Sequence, residues 1–196
     1  AKECYEHAIN IDAGVGDAYY NLAKLYKQMG NLDAALSTYE HLLSLSPGRQ
    51  DALINMGNIH FDNGALDDAI ACFQKALLEN SADKQLADQA NINLANTYRR
   101  QGENVRAIEV YGHVLSREFR AGLRIKQAMT LPVVYRDHLQ INDIRNRLKN
   151  EIVEIARSNL VVLDPALEIA STNFFLAYQA KLNRDLQEKT AELMLK

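Results

Sequence analysis

The side chains that could take part in catalysis or hold a metal are scattered along the sequence. The five histidines are His7, His41, His60, His113 and His138. His41 and His113 have no cysteine or carboxylate neighbour at a convincing ligand spacing. The sequence contains no glycine-rich phosphate loop, HExxH motif or CxxC pair, and Cys4 and Cys72 are interpreted as small buried hydrophobes in a reducing compartment. We therefore expect no catalysis, no metal site and no cofactor in this chain.

The composition is that of an ordinary folded protein. Of the 196 residues, 47% are hydrophobic and 24% are charged, and no apolar stretch is long enough to cross a membrane. Residues 1–118 contain 10 basic and 16 acidic side chains, whereas residues 119–196 contain 12 basic and 9 acidic ones. This shift predicts a domain boundary near residue 118, and its size does not indicate a nucleic-acid-binding surface. We expect a cytoplasmic protein with neither a nucleic-acid nor a membrane partner.

The sequence repeats itself with a period of 34 residues. Small and aromatic residues recur at this distance in the pairs Gly30 and Gly64, Ala35 and Ala69, and Tyr39 and Phe73. A third copy is displaced by a further four residues and contains Leu94, Ala95, Tyr98, Gly102, Ala107 and Tyr111. The four extra residues fall in the connection before this copy, so we predict that its first helix starts early and is longer.

These positions resemble the tetratricopeptide repeat (TPR), whose consensus is W-x2-L-G-x2-Y, then A-x3-F, then P, with a period of 34. The tryptophan position is filled by Tyr19, Leu53 and Asn91, which departs from the consensus. The resemblance implies an all-α fold, namely a right-handed superhelix of antiparallel helix pairs followed by a helical extension. The predicted TPR array spans residues 1–118, with a partial repeat at 1–13 and full repeats at about 16–49, 50–83 and 84–118.

The turn between the two helices of each repeat has its own signals. Gly30, Gly64 and Gly102 fall where a short turn requires a positive φ, which glycine adopts without penalty. Three polar residues near these turns are predicted to cap the second helices, namely Asn31, Asp67 and Asn104.

The partial repeat at 1–13 matches only the second helix of a repeat. We expect the chain to be a piece of a longer protein, because a repeat unit cannot bury its apolar face alone. An unpaired helix there could also cause self-association.

The residues after 118 predict further helices. Pro132 ends any helix that precedes it, and Asp137 is a candidate cap for a long amphipathic helix. The apolar residues of that helix recur at steps of three and four and are Ile141, Ile144, Leu148, Ile152 and Ile155. After a break at Asp164-Pro165, two more helices are predicted to meet near Leu182 and Asn183.

This extension carries a second resemblance. The run LRIKQAMTLPVVYRD, the long helix, DPALEI and TNFFLAYQAKLNRDLQEK look like the connector in bacterial proteins similar to O-linked N-acetylglucosamine transferase (SPINDLY-like). The resemblance implies that the chain is the substrate-recognition arm of a glycosyltransferase whose catalytic residues lie elsewhere in the parent protein. The alternative function is that of a free-standing TPR scaffold for the assembly of protein complexes.

The first helices of TPR repeats line a concave groove, so the resemblance also implies a peptide-binding face. The predicted residues on this face are Asn21, Lys24, Lys27, Asn55, Asn58, Phe61, Asn93, Asn96, Arg99 and Arg100. Asn21, Asn55 and Asn93 share one position and are expected to form an amide ladder that binds the main chain of an extended peptide. Alternatively, these amides bond to the adjacent helix. The basic residues of the face either favour acidic segments or are merely solvated.

Overall fold

A computed structural model of the chain describes residues 1–79, 83–118, 120–131 and 138–157. Within these ranges every regular element is a helix, which confirms the predicted all-α fold. The helices are α1 (Lys2–Ile11), α2 (Gly16–Gln28), α3 (Leu32–Leu45), α4 (Gln50–Asp62), α5 (Leu66–Leu78), α6 (Lys84–Gln101), α7 (Asn104–Leu115), α8 (Ala121–Ala128) and α9 (His138–Arg157). No helix of the described residues is long and apolar enough to cross a membrane.

The chain divides into two compact units between Thr97 and Tyr98. We call them the first unit, which starts at Ala1, and the second unit, which starts at Tyr98. This division falls within α6 and differs from the boundary near residue 118 that the charge distribution predicts. The domain limits 1–118 and 119–196 stay a prediction.

The turns that close the helix pairs share one geometry. Gly30, Gly64 and Gly102 have φ values of 76°, 78° and 87°, as predicted. In each turn the residue after the glycine donates its N–H to a carbonyl five positions earlier. The bond from Asn31 to the carbonyl of Tyr26, for example, is 2.9 Å long. This pattern satisfies carbonyls at the helix end and directs the chain straight into the next helix.

Two of the three predicted helix caps are wrong. The side chain of Asn31 accepts a hydrogen bond from the N–H of Ala34 at 3.3 Å and caps α3. The residue before α5 is Ala65, so Asp67 lies inside the first turn, where the helix dipole favours a negative charge. Asn104 is buried as the first residue of α7 and uses its side chain for a tertiary contact.

The third copy of the repeat begins with the longer helix that the four inserted residues predict. α6 has 18 residues, whereas α2 and α4 each have 13.

The core of the first unit combines aromatic rings with small residues. It contains Tyr19, Tyr39, Leu42, Met56 and Ile59, together with Ala23, Ala35 and Ala52. The alanines let the helix axes approach closely enough for the rings to fill the space between them. The prediction that Cys4 is buried is wrong, because its side chain is exposed on α1, while Cys72 is partly buried on α5.

α4 and α5 approach each other closely at Gly57. A Cβ atom placed on Gly57 would lie 2.5 Å from Cε1 of Phe73, which is far inside van der Waals contact. The ring of Phe73 is fully buried and therefore rests directly on the backbone of α4.

The second unit has its own core, formed by α8, the residues after it and α9. Its members are Ile125, Ala128, Met129, Leu131, Leu148, Ile152 and Ile155, with Ile144 packed against them. The amphipathic helix predicted for this region is therefore present as α9. The side-chain amide of Asn104 donates to the carbonyl of Leu131 at 2.5 Å and ties α7 to the segment after α8. Pro132, Asp137 and the two helices predicted after Asp164-Pro165 lie outside the described residues.

The contact between Gly57 and Phe73 gives a stability prediction. The Gly57→Ala variant gains about 1 kcal/mol of helix propensity but overpacks the interior, which costs about 1–3 kcal/mol. We expect a net loss of about 1 kcal/mol in the free energy of unfolding, measured by urea denaturation.

The Gly57→Ala/Phe73→Leu double variant is the matched control. A smaller side chain at residue 73 relieves the clash, so the alanine should become neutral or stabilising in that background. A Gly57→Ala cost that is unchanged by Phe73→Leu would contradict this explanation.

Candidate functional site

The first unit contains a pocket built by side chains of three first helices and one residue of a second helix. It encloses about 270 Å³ and is lined by Lys27, Asn58, Phe61, Asp62, Phe73, Asn93 and Asn96. We call it the Phe61 pocket. Residues from α2, α4 and α6 meet here because successive first helices lie side by side in a repeat array.

Five of the ten residues predicted for the binding face lie in the Phe61 pocket, namely Lys27, Asn58, Phe61, Asn93 and Asn96. Two lining residues lie outside these ten, namely Asp62, which the repeat pattern also places on the groove side of α4, and Phe73. Phe73 occupies the aromatic position of a second helix in the repeat. The repeat pattern therefore predicts that it belongs to the core and not to a binding face. Its ring lies beneath the pocket and is fully buried.

The Phe61 pocket has one cation and one anion at its edge. Lys27 lies in the last turn of α2, and Asp62 is the last residue of α4. Within the described part of the chain neither side chain forms an ion pair. Both charges are therefore available to a bound molecule.

Two of the three amides of the predicted ladder bond to the neighbouring first helix. The Nδ2 group of Asn93 on α6 donates to Oδ1 of Asn58 on α4 at 2.8 Å. The Nδ2 group of Asn55 on α4 donates to the hydroxyl of Tyr20 on α2 at 3.0 Å. These bonds are of the kind that the alternative interpretation expects, and contact with a peptide stays a prediction. Asn21 is partly buried on α2 and does not line the Phe61 pocket.

Tyr20 is the centre of a second polar group on this face. The ammonium nitrogen of Lys24 lies 5.4 Å from the centre of its ring, and the guanidinium carbon of Arg49 lies 5.2 Å from it. Arg49 also pairs with Asp17 at 2.8 Å and Asp51 at 3.0 Å. The hydrogen bonds that Arg49 donates to the carboxylate of Asp51 are the main cause that raises the pKa of Arg49. Lys24 therefore lies against an aromatic face within a network of satisfied charges.

Sequence reasoning missed Arg49 because it lies in the connection between two repeats. A signal was present, because Asp17 and Asp51 are 34 residues apart and place a carboxylate at the same position of two repeats. A cation between them is the natural partner for both.

The two predicted arginines lie in the second unit. The guanidinium of Arg99 hydrogen-bonds the hydroxyl of Tyr111 on α7, and Arg100 is exposed. Burial raises the pKa of Tyr111 to about 12, while the charge and the hydrogen bond of Arg99 act in the opposite direction. Arg99 therefore supports a buried tyrosine within its own repeat.

The described residues include no group of three or more His, Cys, Asp or Glu side chains that could hold a metal ion. The ring of His41 packs against Tyr19 with 4.7 Å between ring centres, so packing accounts for this histidine. The expectation that the chain has no catalytic activity and no cofactor stays a prediction.

The helix pairs and their glycine turns define a helical repeat protein, and comparison with known families identifies the repeat. Three family models, each described as Tetratricopeptide repeat, match residues 4–37, 29–89 and 91–121. The chain therefore contains tetratricopeptide repeats, as the sequence resemblance predicts. These ranges cover more than half of the chain.

Solved structures of other proteins share this fold. The structure of YrrB, titled a TPR protein with an unusual peptide-binding site, is 15% identical, with 98% of this chain and 93% of that chain covered and a TM-score of 0.67. PilF of Pseudomonas aeruginosa is 15% identical over 96% of this chain and 78% of its own, with a TM-score of 0.65. MamA is 19% identical over 80% of this chain and 85% of its own, with a TM-score of 0.61. A comparison with curated proteins found no match.

The hydrogen bond between Asn58 and Asn93 is testable by a double-mutant cycle. Asn58→Ala and Asn93→Ala should each lower the free energy of unfolding by about 0.5–1.5 kcal/mol. The double variant should lose clearly less than the sum, because both single variants remove the same bond. Urea unfolding followed by circular dichroism measures all four proteins.

The pair Asn55→Ala and Asn93→Ala is the matched control for this cycle. These two residues bond to different partners, so their effects should add. Additive effects of Asn58→Ala and Asn93→Ala would show that the 2.8 Å bond contributes nothing to stability.

The buried hydroxyl of Tyr111 predicts a loss of stability at high pH. The pKa of Tyr111 in the folded protein lies above the value of about 10 in an unfolded chain. The hydroxyl therefore makes its full contribution to the free energy of unfolding below pH about 10. The contribution is lost as the pH rises towards the folded pKa of about 12, by at most about 1.4 kcal/mol per pH unit. Urea unfolding of Tyr111→Phe between pH 9 and 11 should show a shallower decline than the wild type, and an equal slope would contradict the assignment.

Proposed function

We propose that the first unit binds an extended segment of another protein along the face formed by α2, α4 and α6. The observation that carries this proposal is the Phe61 pocket, where asparagine amides and an aromatic ring from different repeats converge. Such a mixture of apolar surface and a few polar groups is typical of binding sites.

The amides of the Phe61 pocket have bonding capacity beyond the contact between helices. Each asparagine has two N–H donors and an oxygen with two lone pairs. The bond from Asn93 to Asn58 uses one donor of the first residue and one lone pair of the second. The remaining groups can pair with the N–H and C=O of a peptide whatever its side chains. With about 0.5–1.5 kcal/mol net per bond, this binding is weak and tolerant of sequence.

The basic residues of the predicted face indicate which charge the bound partner carries. Lys27 at the edge of the Phe61 pocket forms no ion pair within the described residues and would attract an acidic group of the partner. Lys24 is expected to add positive potential near the bound segment. A part of Arg99 and Arg100 in binding stays a prediction, because both residues belong to the second unit.

The fold supports a role in binding proteins. YrrB, which resembles this chain in fold, is titled as having an unusual peptide-binding site. At 15% identity this likeness extends to the fold alone, so the groups that recognise the partner must be argued from the residues of this chain.

A finer proposal is that the module is the substrate-recognition arm of an O-linked N-acetylglucosamine-transferase-like enzyme. It rests on the sequence resemblance of residues 119–196, of which 158–196 lie outside the described residues. The alternative is a scaffold that assembles protein complexes without an attached enzyme. The sequence of the parent protein after Lys196 separates the two, because the enzyme requires a nucleotide-sugar-binding domain.

The binding proposal is tested by titrating the labelled protein with a pool of blocked twelve-residue peptides of random sequence. Chemical-shift changes should centre on the Phe61 pocket and be absent around His41. Removing an aromatic wall forfeits contact area, so Phe61→Ala should weaken binding at least about fivefold. His41→Ala is the matched control, because it removes an exposed ring from α3.

Two results would overturn the proposal. One is the absence of any shift change at millimolar peptide. The other is a set of changes centred on the second cavity of the first unit, which is lined by Tyr19, Tyr26, His41 and neighbours from α1.

A further inference from the structure

Two repeat positions, an aromatic residue on the second helix and a small residue on the first helix, carry different residues in the three repeats. The second helices carry Tyr39, Phe73 and Tyr111, and the matching first-helix residues are Ala23, Gly57 and Ala95. Only the middle repeat combines phenylalanine with glycine. This pair lacks one methyl group and one hydroxyl group compared with its neighbours.

The missing methyl group changes where the ring lies. Cζ and Cε1 of Phe73 would lie 2.8 Å and 2.5 Å from a Cβ atom on residue 57. An alanine there would push the ring away from the backbone of α4. Glycine thus lets the ring lie low against α4, beneath the Phe61 pocket.

The missing hydroxyl group changes the chemistry at the bottom of the pocket. The hydroxyl of Tyr39, at the equivalent position, is buried and has no hydrogen-bond partner among the described residues. A buried hydroxyl of this kind disfavours the entry of an apolar group that cannot bond to it. Phe73 presents only carbon at the equivalent place.

We infer that the Phe61 pocket receives one aliphatic side chain, of the size of leucine, from the bound segment. This inference rests on the proposed function and names the chemistry that the site selects. The ring of Phe61 supplies a partly exposed apolar wall and the buried ring of Phe73 borders the pocket, while the amides of Asn58, Asn93 and Asn96 complete the lining. An apolar centre with a polar rim is the arrangement that concentrates binding energy at interfaces.

The size and charge of the pocket agree with a peptide side chain. A volume of about 270 Å³ leaves room for one aliphatic side chain. Lys27 from α2 and Asp62 from α4 contribute opposite charges that are not neutralised by an ion pair within the described residues. A segment whose aliphatic residue stands between an acidic and a basic residue complements both.

The test uses blocked heptapeptides whose charges are constant and whose central residue X is leucine or alanine. The probes are Gly-Ser-Glu-X-Lys-Ser-Gly and the reversed-charge Gly-Ser-Lys-X-Glu-Ser-Gly, which cover both directions of the chain. Dissociation constants come from chemical-shift titration. For at least one of the two charge orders, the leucine peptide should bind about tenfold more tightly than the alanine peptide, as expected for burying a leucine side chain.

The decisive variant is Phe73→Tyr. Tyrosine occupies the same position in the two neighbouring repeats, so the variant is expected to fold, and circular dichroism checks this. A hydroxyl at the base should reduce the preference for leucine over alanine to about threefold or less. Lys27→Ala is the matched control, because it should weaken both peptides equally and leave their ratio unchanged.

The outcomes separate this inference from the proposed function. If leucine and alanine peptides bind the wild type equally at the Phe61 pocket, the aliphatic specificity is refuted and the peptide-binding function stands. If Phe73→Tyr keeps the full preference for leucine, the base of the pocket does not select the side chain and the inference fails. If no heptapeptide binds while the longer random peptides do, the inference alone is overturned. If neither set binds, both proposals fall.

Discussion

The close approach of two helices at a small residue is the constraint on which this structure depends. In the first unit the ring of a second helix can be fully buried only where the first helix presents alanine or glycine, as at Ala23 and Gly57. The three glycine turns then connect the helices with almost no loop between them. The packing of each repeat is thereby determined by residues of that repeat. One side of its first helix faces its own core, and the other side faces the adjacent repeat or a bound molecule.

The polar side chains of that outer side connect neighbouring helices, and in the proposed function they also bind a peptide. The bonds from Asn93 to Asn58 and from Asn55 to Tyr20 connect successive first helices, so they contribute to the packing of the array. The same amides have spare donors and acceptors for a peptide. A site built in this way is already ordered before binding, which lowers the entropic cost of capturing a partner.

The fold was predictable from the sequence because the repeat places glycine, alanine and aromatic residues at a fixed spacing, and each type has a local structural reason. The long α6 and the amphipathic α9 followed from an insertion and from periodicity. That Asp67 and Asn104 are not caps was not predictable, since a helix can begin one or two residues away from a plausible cap. The ion pairs of Arg49 and the place of Phe73 under the pocket depend on tertiary packing, which a one-dimensional pattern does not record.

The identical turns also bear on how such a chain can change by duplication. Each turn is closed by hydrogen bonds within a few residues of its glycine, so copying a block of repeat length reproduces a complete set of those bonds. The four extra residues before α6 fall between blocks, where they lengthened a helix and left every turn intact. Insertions and deletions of residues between repeats could change the spacing of the side chains on successive first helices during evolution. The packing within each repeat would stay the same.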